Sequence, residues 1–286
     1  LTGSAAEAAG FMNWDELRAV DSSGILDVQS HALTHTWYFS SGRIVDVHRR
    51  HSVHPFPWLS WNERPDRKPY YLTEDQQDFA RWGYPVLEHE KSLIVKRFEP
   101  DKGAIEQLLE FAGLEGYQED MSRSAWWQAA QNRFPDFFSP DGIPGSFESE
   151  DAYQGRVEHE LRMSREILEQ ELDKKVEFLS WPGGGVNDVA ASIARRVGYK
   201  SWTLSSWQDP ARRNRPGIDA EGIKRVSGRG ETYWKGKPIQ EDGAQWVIRR
   251  VLIHQGSLIS RLTNALAKLV AVVRGRHRAP VSGGSS

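Results

Sequence analysis

Residues 176–199 read VEFLSWPGGGVNDVAASIARRVGY, and this stretch decides the fold class. The pattern predicts a strand over residues 176–179, a glycine turn, and a helix over residues 188–197 that ends at Gly198. Residues 199–204 then predict a second strand. A strand, a glycine turn, a helix and a further strand in this order are typical of an α/β fold with parallel strand pairing.

Amphipathic patterns predict more helices elsewhere in the chain. The strongest covers residues 152–172, where Val157 and Leu161 begin one apolar face and charged residues fill the rest. Asn13 can cap a helix over residues 14–22, because its side chain can accept hydrogen bonds from first-turn amides. The other predicted helices cover residues 74–82, 102–112, 122–132 and 257–273. Strands are predicted over residues 25–29 and 92–95, and loops over residues 42–72 and 134–150.

The composition limits the classes of function. The 37 basic and 39 acidic residues give a net charge of −2, which argues against a nucleic-acid-binding surface. The chain contains no cysteine, so a metal ion would have to be held by histidine, aspartate or glutamate side chains. No run of about 18 apolar residues occurs, and a membrane span is therefore not expected. The 12 tryptophans are expected to pack against irregular loops or, alternatively, to form platforms for sugar rings.

Two histidines, His31 and His35, follow the strand predicted at residues 25–29. On one helical turn or a tight loop, this spacing points both imidazoles to the same side, near enough to share one metal ion. The alternative is that both are ordinary surface or buried histidines. Their position at the end of a predicted strand favours a functional site, because sites in α/β folds lie at strand ends.

Other histidines compete for a metal role. A basic, proline-rich segment contains His48, His51 and His54, but irregular spacing beside two arginines disfavours a site there. His89 stands between two glutamates and is expected to be an ion-paired surface residue.

The glycine turn at residues 183–185 is the second candidate segment. Its three glycines permit close approach of the backbone to a ligand. It does not match a phosphate-binding loop, because no Lys-Ser/Thr follows and no G-x-G-x-x-G is present. A turn between a strand and a helix, without any function, is the alternative.

Together these segments resemble the polysaccharide deacetylase (NodB-homology, carbohydrate esterase) family. The stretch His31-Ala32-Leu33-Thr34-His35 is similar to the family's metal-binding H-x-x-x-H. Residues 176–199 are similar to its later run, in which Pro-Tyr-Gly, Asn and Gly-Tyr follow one another. The resemblance covers roughly residues 11–40 and 152–230.

The resemblance implies a fold and a domain organisation. We expect an α/β chain forming a distorted (β/α) barrel that lacks its first strand or strands. Residues 1–250 would form the deacetylase-like catalytic domain, in which residues 42–150 are a long inserted region of loops and helices. A C-terminal helix at residues 251–278 and a disordered tail at residues 279–286 would follow. We expect the apolar face of this helix to dock on the core, and the alternative is a helix at a membrane surface.

The resemblance also implies an activity, which is metal-dependent hydrolysis of N-acetyl or O-acetyl groups on a polysaccharide. The cofactor would be a divalent metal, zinc above all, held by His31 and His35. The polysaccharide is the expected partner, and the expected location is outside the cytoplasm. The predicted substrate-binding residues are Trp181, Pro182, Gly183 and Gly184.

The sequence departs from the family pattern in several ways. The family's T-F-D-D-G motif, whose aspartates act as general base and third metal ligand, is absent from the sequence. We expect it upstream of residue 1, so that this chain alone would be inactive. Ser180 stands where many members carry arginine, and His254 is the candidate for the late catalytic histidine. The alternative function is a non-catalytic carbohydrate-binding or scaffold protein of the same fold.

Overall fold

The computed structural model describes residues 12–48, 83–114, 123–204, 217–224, 231–234 and 237–240, with isolated positions at 214, 248, 251–252, 258–259, 262 and 265–266. The chain divides into two compact units, Leu1–Lys200 and Ser201–Ser286. The predicted limits at residues 250 and 278 lie outside the described residues, and that domain organisation stays a prediction.

The first unit contains an antiparallel pair of strands. Strand β1 (Trp37–Val47) pairs with β2 (Pro85–Lys91), with Trp37 opposite Lys91 at one end and Val47 opposite Pro85 at the other. Residues 42–47, predicted as loop, are therefore strand. The strand predicted at residues 92–95 is also wrong, since a 3-10 turn (Ser92–Ile94) stands there. The strand of this region is instead β2, which ends before the turn, pairs with β1 and contains the fully buried Val86 and Leu87.

Two helices and a short sheet pack beside this pair. Strand β3 (Phe98–Pro100) is antiparallel to β4 (Gly145–Phe147), and between them lie α2 (Lys102–Leu114) and α3 (Arg123–Arg133). Both helix predictions are confirmed. The main core cluster joins the β1–β2 pair to the apolar face of α2, where the buried residues include Ile105, Leu108 and Leu109.

The remaining helices of this unit have clear local end signals. Helix α1 (Trp14–Ser22) begins with a capping box of Asn13 and Glu16. The long α4 (Glu150–Leu172) begins after Ser149, and a glycine-rich 3-10 turn (Pro182–Gly184) follows β5 (Phe178–Ser180). Helix α5 (Asp188–Val197) is capped by Asn187 and ends at Gly198, with φ of 106°, as predicted.

The strand predicted at residues 25–29 does not form. Only Ser30 pairs with a strand, through a single parallel bridge to Leu179 of β5. The Val28 amide donates instead to the Asp21 side chain, and Ile25 is 84% exposed. Hydrogen bonds to side chains have replaced the backbone ladder that the alternating pattern suggested.

The second unit contains two strand pairs. Strand β6 (Ser201–Leu204) pairs in parallel with β7 (Ile223–Lys224), and β8 (Glu231–Trp234) is antiparallel to β9 (Lys237–Gln240). The strand predicted at residues 199–204 is confirmed except at its start. The described positions of the last predicted helix are helical. Their leucines are exposed, contrary to the expected docking on the core: Leu258, Leu262 and Leu266.

The described part of the chain is thus α/β, with parallel as well as antiparallel pairing. Its strands form small sheets, and none of those described closes into a barrel. The (β/α) barrel therefore stays a prediction. No helix within the described ranges is long and apolar enough to cross a membrane.

Candidate functional site

The two histidines of the H-x-x-x-H pattern converge. Their ring centroids lie 4.9 Å apart with the ring planes tilted by 52°. The backbone between them is unusual, because Ala32 and His35 both have positive φ, at 61° and 49°. A tight loop rather than a helix therefore brings the rings together. Their convergence was predicted from the spacing, and metal binding by the pair stays a prediction.

A contact from β5 fixes the His31 ring. Its Nδ1 lies 2.5 Å from the carbonyl oxygen of Ser180, the last residue of that strand. Because a carbonyl only accepts, Nδ1 carries a hydrogen, and in the neutral imidazole the other ring nitrogen, Nε2, then has the lone pair. This is the arrangement that orients histidines for metal binding in known metal sites. It also links His31 to the strand that precedes the glycine turn.

His35 connects the loop to the β1–β2 pair. Its ring meets Trp37 edge to face, with the centroids 5.1 Å apart. Trp37 opens β1 directly opposite Lys91 of β2, and side chains opposite one another in an antiparallel pair lie on the same face. One imidazole of the pair therefore contacts a tryptophan that lies on the same face of the strand pair as a lysine.

The glycine turn closes over the side chain of Lys91. A Cβ atom added to Gly183 would lie 2.8 Å from Lys91 Cε, and one added to Gly185 would lie 2.4 Å from Lys91 Cδ. The lysine ammonium donates to Glu90 Oε1 at 2.6 Å. The glycines therefore make room for a lysine of the same chain, which the sequence pattern did not reveal.

The four predicted substrate-binding residues differ in accessibility. Trp181 has no exposed surface and Pro182 is buried, so in this conformation both have a packing role. Gly183 is exposed and Gly184 is half-buried. Only the two glycines are placed where a ligand can reach them without rearrangement. The assignment of all four to substrate binding stays a prediction.

Sequence reasoning missed Glu160, a residue of α4 that is only 7% exposed. Its Oε2 accepts from the amides of Leu33 at 3.2 Å and Thr34 at 2.9 Å. Its Oε1 accepts from the Thr34 hydroxyl at 2.6 Å. The available signal was a carboxylate within the apolar face of α4, next to Leu161, because a charge there has to find partners when it is buried.

A second polar cluster lies at the start of the loop formed by residues 31–35. Ser30, which precedes His31, lies with its Oγ 2.8 Å from Ser164 Oγ of α4 and 2.8 Å from the Tyr199 hydroxyl. The same hydroxyl lies 3.0 Å from the carbonyl oxygen of Leu161. Burial raises the pKa of Tyr199 to about 12, so its hydroxyl keeps its hydrogen at neutral pH.

Two of the other histidine candidates, His48 and His89, are described and have contacts at the β1–β2 pair. His51, His54 and His254 lie outside the described residues. His48 extends the β1–β2 pairing through backbone hydrogen bonds with Tyr84 and Gly83. The His89 ring contacts the carbonyl oxygen of Leu87 at 2.9 Å.

The donor set fits a zinc ion in kind, since it consists of two imidazoles with one backed by a carbonyl oxygen. Catalytic zinc sites have three protein ligands as a rule. Among the described residues, no group of three or more histidine, cysteine, aspartate or glutamate side chains is placed to hold a metal ion. If a metal ion binds here, His31 and His35 would be two members of a larger set of ligands.

Comparisons with known proteins give structural neighbours. No family model matches the sequence, and no curated protein matches it. The structure is similar to the deacetylase domain of BpsB from Bordetella bronchiseptica, at a TM-score of 0.39 and 13% identity, over 75% of this chain and 48% of that one. It is also similar to a de-N-acetylase from Aggregatibacter actinomycetemcomitans, at a TM-score of 0.39 and 14% identity, over 79% of this chain and 52% of the other. This chain spans about half the length of these two structures.

Proposed function

We propose that this chain carries part of the active site of a metal-dependent hydrolase that removes N-acetyl or O-acetyl groups from a polysaccharide. The observation that carries the proposal is the convergence of His31 and His35, with the His31 ring held by the carbonyl oxygen of Ser180. This contact joins the H-x-x-x-H pattern to the strand that precedes the glycine turn. The order of the two segments along the chain resembles that of polysaccharide deacetylases.

In the proposed reaction, His31 and His35 hold a divalent ion, for which we propose zinc. When bound, such an ion polarises the acetyl carbonyl and lowers the pKa of a water molecule. Hydrolysis would form a bond between a water oxygen and the acetyl carbon and break the bond from that carbon to the sugar nitrogen or oxygen. Acetate would leave, and the proton lost by the water would go to the sugar nitrogen or oxygen.

The residues of this chain would bind and orient rather than transfer protons. The Ser180 carbonyl holds the hydrogen of His31 on Nδ1, which leaves Nε2 for the ion. The accessible backbone of Gly183 and Gly184 would contact the sugar beside it. A general base is not assigned, because the sequence contains no T-F-D-D-G motif. Loss of a general base costs about 10²–10⁴ in rate, and we therefore propose that these 286 residues alone are nearly inactive.

The absence of the aspartate motif favours a second candidate function, which is carbohydrate binding without catalysis. In that case the glycine turn would contact sugar, and the histidines would have a structural role or bind a metal without turnover.

Zinc binding and acetate release by the same variants test the proposal. Wild-type protein, His31→Ala and His35→Ala are compared, with His159→Ala as the control because His159 is exposed on α4. We expect the control to bind zinc like wild type and either site variant to lose that zinc. Equal zinc binding by all four proteins would refute the metal assignment. Polymer binding without acetate release, even when aspartate-containing segments of a homologue are added, would favour the second candidate.

A further inference from the structure

The loop between the two histidines contains backbone that needs external support. Ala32 and His35 adopt left-handed φ values of 61° and 49°, although both have a Cβ atom. Left-handed backbone is unfavourable for residues with a Cβ atom, and such conformations persist only where surrounding contacts determine them. Leu33 and Thr34 lie between the two, so contacts to these residues decide whether the loop keeps its shape.

A buried carboxylate supplies those contacts. Glu160 accepts hydrogen bonds from the amides of Leu33 and Thr34 and from the Thr34 hydroxyl, at 3.2, 2.9 and 2.6 Å. Its two oxygens thus bind three donors within the loop. Hydrogen bonds to a charged acceptor are roughly twice as strong as neutral ones, and more so when water is excluded.

Helix α4 holds the loop at a second point. Ser164 lies one turn after Glu160, on the same face of α4, and its Oγ contacts Ser30 Oγ at 2.8 Å. Ser30 directly precedes His31. The helix therefore fixes the start of the loop through Ser164 and its middle through Glu160.

We propose that Glu160 is the positioning residue of the histidine pair, holding the two imidazoles at the separation and tilt that let them share one metal ion. This inference rests on the proposed function. Glu160 acts through the backbone and hydroxyl of the residues between the histidines. Replacing Glu160 should therefore lower the affinity for the metal ion, in addition to any effect on folding.

Glu160→Gln tests the proposal in the full chain. The substitution keeps the size of the side chain but replaces one acceptor oxygen with an NH₂ group, which cannot accept from an amide. The matched control is Glu166→Gln, since Glu166 is exposed on the same helix. The first measurement is hydrogen exchange of the Leu33 and Thr34 amides in metal-free protein. The second is zinc affinity, from competition with a chromogenic chelator.

We expect Glu160→Gln to exchange these two amides at least about tenfold faster and to bind zinc about 10–100-fold more weakly, the range seen when groups that orient metal ligands are lost. The control should match wild type in both. A folded Glu160→Gln protein with unchanged zinc affinity would overturn the proposal, because its role would then be structural only. Unchanged amide exchange would overturn it as well.

Two further results separate this inference from the proposed function. If wild-type protein binds no zinc, the metal assignment fails, whereas faster exchange in Glu160→Gln would still support control of the loop by Glu160. If Glu160→Gln does not fold, Thr34→Val takes its place, because it removes only one of the three donors. Its zinc affinity should fall about three- to tenfold, in line with the loss of one hydrogen bond of ordinary strength. No change in Thr34→Val would overturn the proposal.

Discussion

The contact between Lys91 and the glycine turn makes a prediction for a single residue. Gly185 has an ordinary φ of −75°, so alanine would meet no backbone strain there. Its Cβ would lie 2.4 Å from Lys91 Cδ, however, and the lysine would have to move. We expect Gly185→Ala to lower the free energy of unfolding by about 1–3 kcal/mol, the usual effect of overpacking. Urea denaturation measures this difference.

The double variant Gly185→Ala/Lys91→Ala provides the check. Removing the lysine stem should recover most of the loss, which gives a coupling energy between the two sites. Gly155→Ala is the control, because Gly155 is in α4 with no atom near the added Cβ. It should stabilise the protein by about 0.5–1 kcal/mol through better helix propensity. A strictly additive double variant would show that the turn does not depend on Lys91.

At the scale of elements, α1 is a weakly held helix among those that the structure describes in the first unit. None of its residues is buried, and its described attachments to the α4 end are polar. Arg18 donates to the Glu171 carbonyl oxygen at 2.9 Å, and Lys174, just beyond α4, pairs with Asp21 and with Asp27. We expect Lys174→Ala to speed hydrogen exchange across α1 while exchange in α5 stays unchanged. Lys200→Ala, which removes an exposed ion pair with Glu177, should leave α1 as in wild type.

Acid should have the same effect on α1 as the loss of Lys174. The Lys174 hydrogen bond holds the pKa of Asp21 and of Asp27 below the ordinary value of 3.8. Groups with a lowered pKa stabilise the folded state at neutral pH and lose that effect as the pH falls through the folded value. Protection of α1 should therefore decrease below about pH 4 in wild type. Protection that decreases equally in Lys174→Ala would contradict this explanation.

Helices were more predictable from the sequence than strands, for a physical reason. The limits of α5 follow from Asn187 and Gly198, which act on the adjacent turn and can be recognised locally. The strand β1 depends on a partner, β2, that begins 38 residues after β1 ends, and its polar positions suggested a loop. The same holds for the site. The spacing of His31 and His35 is local, whereas Glu160 contacts residues that are 126 and 127 positions away.

For the whole molecule, we predict self-association. Ile25 and Leu26 are 84% and 60% exposed. Phe178 of β5 is 44% exposed, and its carbonyl oxygen accepts from the Ser30 amide. Phe178 therefore lies next to the segment that follows Ile25 and Leu26. Exposed apolar groups of this kind promote association, most of all where the net charge is small, and the sequence pI is about 6.6. Sedimentation velocity should show larger species as the concentration rises near this pH. Ile25→Ser/Leu26→Ser should reduce them, and Ile218→Ser, which changes a single exposed side chain of the second unit, should not.

The contact of His31 with Ser180 joins positions that are 149 residues apart in the chain. Closing a loop of this length has an entropic cost that grows with the logarithm of its length, and contacts between distant residues slow folding. The imidazole pair can therefore reach its final orientation only late, after β5 has docked beside Ser30. If the pair binds zinc, a zinc ion added during refolding would bind at the rate of the slowest folding phase. The rate of metal uptake would then measure the last stage of folding.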